Sequence, residues 1–275
     1  MSIINRIGDI DRRYLYLLLI ILVGVPLLRP IGLPIPISSM TRDLYTELEN
    51  LPPGSVILQI INIGPAQLSD CGVGTLALTK HIFTLDLKWV GVSQAADGAM
   101  IYEYIMNKIG QPSGKTYGEN WVYLGYAAGG EAMQASLATD FATVFPIDFY
   151  GTPVGEIPLM SEVRTHEDID MVIIHSNSGD QVEGLLRQWQ SPYNTVCVAN
   201  VGSVMGPSML PYYPNQLLSV LVGMSAGAEY ELVAGVPGPG LSSADAMSMG
   251  NILVIAFLLL GNISLLLEKS GGKRD

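Results

Sequence analysis

A Gly-x-Ser-x-Gly pattern lies at residues 223–227, within "GMSAGAEYELVAG". Serine hydrolases carry their nucleophile in such a pattern, on a sharp turn between a strand and a helix, with an acid and then a histidine later in the chain. Here the run from Asn215, "NQLLSVLVGMSAGAEYELV", predicts a single helix, because apolar residues recur in it at helical spacing. All three histidines precede Ser225. A triad in another chain order stays open, but the pattern favours a small-residue face at which two helices pack, and not an enzyme.

A second glycine pattern, G-x-G-x-x-A, lies in "DCGVGTLA" (70–77). In dinucleotide-binding sites the first glycine follows a strand almost at once, and the pyrophosphate lies on the helix N-terminus. Gly72 comes nine residues after Ile63, so we expect the motif to fall inside a helix. Ser93 and Gln94 stand where the second strand of such a site would end in an acid. The sequence therefore predicts no nucleotide cofactor.

One stretch, "RTHEDIDMVIIHSNSGD" (164–180), concentrates histidine, carboxylate and polar residues. A metal site would need several of these side chains to converge, and His166, Asp168 and Asp170 can do so only around a tight loop. The alternative is an ordinary charged loop that enters a strand. We favour the loop, and we predict no metal ligand.

Two apolar stretches at the ends of the chain predict membrane helices. Tyr14 to Leu28 is an uncharged run that would span roughly 22 Å as a helix, short of a bilayer core of about 30 Å, so we expect the span to continue past Arg29 over residues 14–37. A cleaved signal peptide fits less well, because the leader is long and carries Asp9 and Asp11, and no A-x-A-like cleavage site follows the apolar run. Residues 247–267 would span about 31 Å, a full crossing, unless they form a buried helix of a soluble domain.

Basic residues flank both predicted spans on the outer sides, and short basic flanks stay in the cytoplasm. Residues 1–13 and 268–275 are therefore predicted to be cytoplasmic, and residues 38–246 to form an extracytoplasmic domain of a cell-membrane protein. The basic residues that carry this prediction are Arg6, Arg12, Arg13, Lys269, Lys273 and Arg274.

The predicted outer domain is acidic. Residues 38–246 contain 7 Lys plus Arg against 21 Asp plus Glu, a net charge of −14. Such a surface argues against binding to nucleic acid and against docking on anionic lipid, and we interpret it as a solubility feature. The only two cysteines, Cys71 and Cys197, lie in this domain. They form either a disulfide or two buried thiols, and the spacing alone does not decide between these.

Continuous β-branched runs alternate with helical patterns through this domain. We predict strands at 55–63, 88–93, 120–126, 170–176 and 194–201. Such alternation predicts a single α/β domain, Rossmann-like and doubly wound, with a mainly parallel five-stranded sheet. A short helix capped by Ser39 should precede it, and residues 141–165 should form an irregular insertion.

Ligands of open α/β sheets bind outside the carboxyl ends of the strands. The residues at those predicted ends are small, polar and almost uncharged, so they could hold a small neutral ligand, although they include no evident general base. The alternative is a crevice packed by a partner. The candidates are Gly64, Ser93, Gln94, Tyr126, Gly129, Gly130, Ser176, Asn177, Asn200 and Ser203.

The second membrane helix carries a stripe of amides and small residues. Asn251 and Asn262 are eleven residues apart, within about 20° of one face, and Leu258 lies on the same line. Gly250 and Gly261 lie beside it. Membrane helices associate through such residues, so we expect contact with another polypeptide here, either a second copy or another membrane protein. The alternatives are headgroup contacts of the amides or contact with the chain's own first span.

Several segments resemble a group of uncharacterised prokaryotic membrane proteins with two spans and an extracytoplasmic Rossmann-like α/β domain. They are "PPGSVIL" (52–58), "YGENWVYLGYAAGG" (117–130), "FPIDFYGTP" (145–153), "GAEYELVAGVPG" (227–238) and "LLLGN" (258–262). A looser likeness is to the extracytoplasmic domains of auxiliary proteins in ABC-type export and gliding systems. The resemblance implies this topology and no catalytic residue.

Together these observations predict a non-enzymatic, membrane-anchored structural or accessory subunit of a larger assembly, without a cofactor. The competing prediction is a tethered small-solute receptor or transport accessory that binds its ligand at the strand ends. A hydrolase that uses Ser225 ranks last.

Overall fold

The computed structural model describes residues 12–110 and 114–271 of the chain. These residues divide into two compact units, one from Ile35 to Gly240 and the other formed by the residues before and after it. The helices and strands follow in the order α1 (Arg12–Leu28), α2 (Ser39–Asn50), β1 (Val56–Asn62), α3 (Cys71–Thr84), β2 (Lys88–Ser93), α4 (Gly98–Ile109), β3 (Trp121–Tyr126), α5 (Glu131–Thr139), α6 (Phe141–Val144), α7 (Pro158–Glu162), β4 (Met171–Ser176), α8 (Gly179–Leu185), α9 (Ser191–Tyr193), β5 (Val196–Val201), α10 (Gly206–Met209), β6 (Ser219–Val222), α11 (Gly223–Val233) and α12 (Pro239–Gly271).

The sheet of the central unit has six strands in the order β3-β2-β1-β4-β5-β6, and every neighbouring pair is parallel. This order reverses between β1 and β4, as in doubly wound dinucleotide-binding folds. The predicted α/β class and parallel sheet are confirmed, and the five predicted strands coincide with β1 to β5 to within two residues at either end. The predicted number of strands was wrong, because β6 adds a sixth.

Strand β6 lies where the sequence predicts the start of a helix. Its four residues pair with β5 from Val198 opposite Ser219 to Val201 opposite Val222. Gly223 then turns the chain with a φ of +64°, and α11 begins there. A run as short as "SVLV" fits a helix and a buried strand equally well by its hydrophobicity. Pairing with β5, a contact between distant segments, decides the outcome.

The two faces of the sheet differ in chemistry. One face carries an apolar core formed by residues such as Leu58, Val90, Val172 and Ala199. The other face, against α3 and α11, carries buried polar side chains among its apolar ones. These polar residues are Gln59, Ser93, His175, Asn200 and Ser219. Several of them bond to α3, since Thr79 Oγ1 donates to Gln59 Oε1 at 2.8 Å and Asn200 Nδ2 donates to the Cys71 carbonyl at 2.7 Å.

Two segments outside the sheet, helix α2 and the predicted insertion at 141–165, are hydrogen-bonded to the rest of the domain. Helix α2 is capped by Ser38, not by the predicted Ser39, and the backbone N–H of Ser38 donates to Glu229 on α11. The predicted irregular insertion at 141–165 contains the short helices α6 and α7. Its Phe149 N–H donates to the Tyr123 carbonyl, so the insertion covers the outer edge of β3.

The other unit contains the two apolar helices. Residues 239–263 of α12 are long and apolar enough to cross a membrane, whereas α1 falls below that length. Helix α1 ends at Leu28 and residues 29–38 are irregular, so a continuous helical span over 14–37 is not confirmed. The predicted flanking residues Arg6, Lys273 and Arg274 lie outside the described residues.

A buried carboxylate organises the segment after α1. Asp245 on α12 is 2% exposed and accepts hydrogen bonds from the backbone N–H groups of Ile31, Gly32 and Leu33 at 2.6, 2.9 and 3.0 Å. Charge-assisted bonds of this kind are stronger than neutral ones. Asp245 therefore fixes residues 31–33 to the helix that is long enough to cross a membrane.

Candidate functional site

Ser225 lies on a strand–turn–helix segment after all, because β6 precedes it and α11 contains it. Its side chain is exposed. A nucleophile still needs a base within hydrogen-bond reach, and the histidines have other partners. His81 bonds to Tyr230 and Glu49, His166 stacks on Tyr193, and His175 is fully buried. The hydrogen bonds among the described residues thus give Ser225 no general base.

The glycines around Ser225 serve close packing. A methyl group built on Gly227 would lie 2.7 Å from the backbone nitrogen of Gly74 on α3. One built on Gly74 would lie 2.5 Å from Asn200 Oδ1 on the sheet. Both contacts are shorter than any real side chain tolerates, so α11, α3 and β5 approach one another at positions where only glycine fits. The Gly-x-Ser-x-Gly and G-x-G-x-x-A patterns meet at this contact.

The G-x-G-x-x-A motif opens a helix, which corrects the sequence prediction that it lies inside one. Helix α3 begins at Cys71, and Gly72 lies in its first turn. The residue before the helix is Asp70, whose carboxylate accepts hydrogen bonds from Ser203 N and Oγ at 2.9 and 2.7 Å. A negative charge therefore already lies at the helix N-terminus, where a pyrophosphate would have to bind. This arrangement argues against a dinucleotide on the motif.

Three of the predicted crevice residues lie in the interior of the domain. Ser93, Ser176 and Asn200 are fully buried. The hydroxyl of Tyr123 donates to Ser93 Oγ at 2.8 Å, and Asn62 Nδ2 donates to Ser176 Oγ at 3.0 Å. Asn200 bonds to α3, as described above. These side chains hold the strand ends in place and are closed to a ligand.

The other predicted crevice residues lie at the carboxyl edge of the sheet. Gly64, Gln94 and Gly130 are half-buried, whereas Tyr126, Gly129, Asn177 and Ser203 are exposed. The structure brings Gln94 and Gly130 together, since Gln94 Nε2 donates to the Gly130 carbonyl at 2.9 Å. It places Ser203 at another point of this edge, where Ser203 donates to the Asp70 carboxylate.

An open groove of about 330 Å³ begins at Gly129, beside the end of β3. Its lining is mostly apolar and combines the loop after β3 with α5 and α6: Ala127, Ala128, Gly129, Ala132, Met133, Ser136, Thr143 and Val144. This volume is at the low end of the range that small-molecule sites occupy. Gly129 and Gly130 have φ values of +125° and +54°, and these conformations let the loop turn sharply into α5.

Sequence reasoning missed the polar residues that complete this edge. Gln67 lies in the loop after β1, where the Gly64 N–H donates to its Oε1 at 2.8 Å. Gln134 and Gln181 lie on α5 and α8, and Gln134 Nε2 donates to Gln94 Oε1 and to the Gln181 carbonyl. Asp70 and Asp97 complete the set. Each comes four or more residues after its strand, so only a search of the first helical turns would have found them.

Residues 164–170 form a charged loop that leads into β4, as predicted. Asp170 accepts from the Val56 N–H at 2.7 Å, and Asp168 accepts from the Arg164 and Thr165 N–H groups. Among the described residues no group of three or more His, Cys, Asp or Glu side chains could hold a metal ion. The two carboxylates thus order the entry to β4.

Both cysteines are free and buried, so the structure has two buried thiols and no disulfide between them. Burial and the neighbouring Asp70 charge raise the pKa of the Cys71 thiol to about 12, and burial also raises the pKa of Cys197. Since the thiolate is the reactive form, both cysteines should be inert at neutral pH.

His175 should make the stability of the domain depend on pH. Complete burial lowers its pKa from 6.5 to about 3, so the folded protein keeps it neutral while the unfolded chain takes up a proton below pH 6.5. Stability should therefore fall as the pH drops from 6.5 towards 3, by up to about 1.4 kcal/mol per pH unit from this group. Urea unfolding at pH 7 and pH 5 of the wild type and of His175→Gln measures the effect. Equal pH dependence in the two proteins would contradict it.

The stripe on α12 faces away from the buried side of that helix. Leu253, which is 6% exposed, lies nine residues before Asn262 and thus about 180° around the helix. Asn251, Leu258, Gly261 and Asn262 are exposed. Gly250 differs from them, because a methyl group built on it would lie 3.7 Å from Val23 of α1. Asn262 Nδ2 donates to the Leu258 carbonyl of its own helix at 2.7 Å, which leaves the amide oxygen for a partner.

Comparison with known proteins gives no relative from which residue roles could be transferred: no protein-family model and no curated protein matches the chain.

Proposed function

We propose that this chain is a membrane-anchored, non-catalytic subunit of an oligomeric or multi-protein membrane assembly. The observation that carries the proposal is the exposed stripe of Leu258, Gly261 and Asn262 on a helix long enough to cross a bilayer. Inside a bilayer there is little hydrophobic drive for helices to associate, so close approach at small residues and interhelical hydrogen bonds supply the contact. A methyl group built on Gly250 would lie 3.7 Å from Val23 of α1, whereas one built on Gly261 would meet none of the described residues within 4 Å.

The proposed topology places both termini in the cytoplasm and residues 38–246 outside the cell membrane. Helix α1 serves as the second anchor. Its 17 residues correspond to roughly 25 Å, which a bilayer accommodates by local thinning or by snorkelling of flanking basic residues. Arg12 and Arg13 at its start and Lys269 near the end of α12 have the charge that keeps short flanks in the cytoplasm.

Three features of the structure support a non-catalytic role. Ser225 has no base among the described residues, the helix N-terminus of the glycine motif is occupied by Asp70, and the thiols are protonated at neutral pH. A binding and assembly role needs none of these groups.

The subunit proposal is tested by measuring the mass of the native particle. Membranes are solubilised in a mild detergent, and the particle mass and every co-purifying chain are measured. We expect a large particle of fixed stoichiometry. A detergent-bound monomer would overturn the subunit proposal.

Substitutions on the stripe locate the contact. Asn262→Leu should weaken association about 3- to 30-fold, the range expected for loss of an interhelical hydrogen bond of about 0.6–2 kcal/mol. Leu258→Trp should weaken it by blocking close approach. The matched control is Leu260→Trp, because Leu260 is 41% exposed but lies about 160° from Asn262 around the helix. Equal loss in all three variants would show that the stripe is not the interface.

A further inference from the structure

A pocket of about 190 Å³ lies between α3, the end of α4 and the segment that leads from α11 into α12. Its volume is below the range that small-molecule sites usually occupy, so it would hold a single polar group and not a whole cofactor. The lining is apolar apart from two lysines and one acid: Leu76, Ala77, Lys80, Lys108, Glu231, Val236, Pro237, Gly238 and Pro239. The proposed assembly role does not use this pocket.

Two of the few positive charges of the domain line the pocket. Residues 38–246 contain seven Lys and Arg against 21 Asp and Glu, and two of the seven, Lys80 and Lys108, lie in this lining. Lys88 and Arg187, which lie outside it, form ion pairs with glutamates. Neither lysine of the pocket forms an ion pair with a residue that the structure describes. Their charges are therefore available to an anion from outside the chain.

The contacts of the two ammonium groups leave them able to bind such an anion. Lys80 Nζ donates to the Pro237 carbonyl at 2.8 Å, which uses one of its three N–H groups and fixes it at the wall of the pocket. Lys108 Nζ lies 5.8 Å from the centroid of the Tyr104 ring, a cation–π contact that places no carboxylate beside it. Lysine binds phosphate as a point charge, so these two groups suit a phosphate.

The acid of the lining is compensated by the backbone. Glu231 is 1% exposed, and its Oε1 accepts from the Gly240 N–H at 2.9 Å, in the first turn of α12. A methyl group built on Gly238 would lie 2.3 Å from the same oxygen, so the backbone of this segment covers the carboxylate. The positive end of the α12 dipole therefore offsets the Glu231 charge. Compensation of Glu231 does not need the two lysines.

The pocket lies close to the membrane in the proposed topology. Pro239, which lines the pocket, is the first residue of α12. Met247, where the predicted span begins, follows eight residues later, so the helix separates Pro239 from the hydrocarbon core by at most about 12 Å. Headgroups occupy roughly the first 5–7 Å of that distance. Phospholipid phosphates are therefore the anions that lie nearest to this pocket.

The acidic surface of the domain limits which anions can approach. With a net charge of −14, residues 38–246 repel a broad anionic partner such as nucleic acid. Two lysines in a small pocket can bind one phosphate while the rest of the surface stays away from the membrane. A single bound headgroup thus differs from the general docking on anionic lipid that the sequence argues against.

We propose that this pocket binds the phosphate group of one membrane phospholipid. Lys80 and Lys108 contact the phosphate oxygens, the apolar wall at Val236 and Pro237 packs against the glycerol backbone, and the acyl chains remain in the bilayer. Basic pockets between membrane helices bind phospholipid headgroups by the same chemistry. The lipid as the source of the phosphate rests on the proposed membrane anchoring.

The test is native mass spectrometry of the full chain in a non-ionic detergent. Dioleoyl phosphatidylglycerol is compared with dioleoylglycerol, which has the same acyl chains and no phosphate, with and without an excess of inorganic phosphate. We expect one phosphatidylglycerol per chain, bound at least about 10-fold more tightly than dioleoylglycerol and retained in inorganic phosphate. Equal binding of the two lipids would overturn the proposal. Displacement by inorganic phosphate would assign the pocket to free phosphate and would overturn the lipid as its ligand.

Variants that remove charge assign the lipid to the pocket. Lys80→Gln and Lys108→Gln should each weaken phosphatidylglycerol binding about 5-fold, and the double variant about 30-fold, because each lysine near a lipid phosphate contributes about 1 kcal/mol. Lys80→Arg keeps the charge and should retain binding. The matched control is Lys115→Gln, since Lys115 also donates to a backbone carbonyl, that of Leu87, but lies outside the pocket. It should bind the lipid as the wild type does.

Thermal unfolding of each variant checks that it folds. If the folded double variant binds phosphatidylglycerol as tightly as the wild type, or if Lys115→Gln loses as much affinity, the lipid binds elsewhere and the proposal fails. The particle mass of the same sample reports on the assembly separately. A large particle without lipid preference overturns only the lipid proposal, and a monomer that keeps lysine-dependent lipid binding overturns only the subunit proposal.

Discussion

Replacing Gly223 with alanine should destabilise the α/β domain by about 3 kcal/mol or more. Gly223 has a φ of +64°, a conformation that costs other residues roughly 1–2 kcal/mol. A methyl group there would also lie 2.1 Å from Ser203 Oγ and 2.8 Å from Asp70 Oδ1. Overpacking of this kind adds about 1–3 kcal/mol. Urea unfolding, followed by the fluorescence of the three tryptophans that all lie in this domain, measures the loss.

Gly235→Ala separates the two causes of destabilisation, which are the positive φ and the steric overlap of the added methyl group. Gly235 has almost the same φ, +62°, but a methyl group built on it meets nothing within 4 Å. Its replacement should cost only the backbone term, about 1–2 kcal/mol. If both variants lose the same stability, the Ser203 and Asp70 contact has no influence and the turn after β6 is less tightly packed than described.

Asp245→Ala should release the segment that follows α1. The substitution leaves three backbone N–H groups, those of Ile31, Gly32 and Leu33, without their acceptor. Hydrogen bonds to a charged group contribute about 1.5–3 kcal/mol each and are not additive, so we expect a total loss of about 3–5 kcal/mol. Thermolysin, which cleaves before Ile and Leu, should cut this segment at least about 100-fold faster, because cleavage follows the population of the open form.

An exposed carboxylate provides the control for this variant. Asp180 is exposed at the start of α8, and Asp180→Ala should leave the cleavage rate as in the wild type. An Asp245→Ala protein that is cut no faster than the wild type would show that other contacts hold residues 31–33.

Hydrophobic runs predicted the sheet because parallel strands buried on both faces consist of little else. The run 55–63 and its four counterparts became β1 to β5. Strand β6 could not be found in this way, since its four residues also continue the helical pattern of α11. Only its pairing with β5 distinguishes the two outcomes, and pairing between distant segments leaves no local signal.

The site was predictable only in part. The rule that ligands bind at strand ends located Gln94, Gly129 and Gly130 correctly on the carboxyl edge, but it also selected Ser93, Ser176 and Asn200, whose side chains point into the core. Conversely, Gln181 and Asp97 reach the edge from the beginnings of helices. Whether a polar residue at a strand end faces solvent or a neighbouring helix depends on how closely that helix packs. A methyl group built on Gly74 would lie 2.5 Å from Asn200 Oδ1, and one built on Gly98 would lie 2.0 Å from Ser93 Oγ, so these glycines permit the close approach.

The unlike faces of the sheet should give its two helical layers different tolerance to mutation. On the apolar face, core residues such as Val182 and Leu137 can exchange with side chains of similar volume at a cost below about 1.5 kcal/mol. On the other face, Gln59 Oε1 accepts from Thr79 of α3 and from the buried indole N–H of Trp89, and an apolar substitute would leave that N–H unpaired. Asn200 Nδ2 bonds to the Cys71 carbonyl of α3 and to His175 Nδ1, and an apolar substitute would leave that histidine nitrogen unpaired. Neutral substitutions should therefore accumulate in the core between the sheet and helices α5 and α8. Residues of α3 and the strand residues bonded to them should change only together.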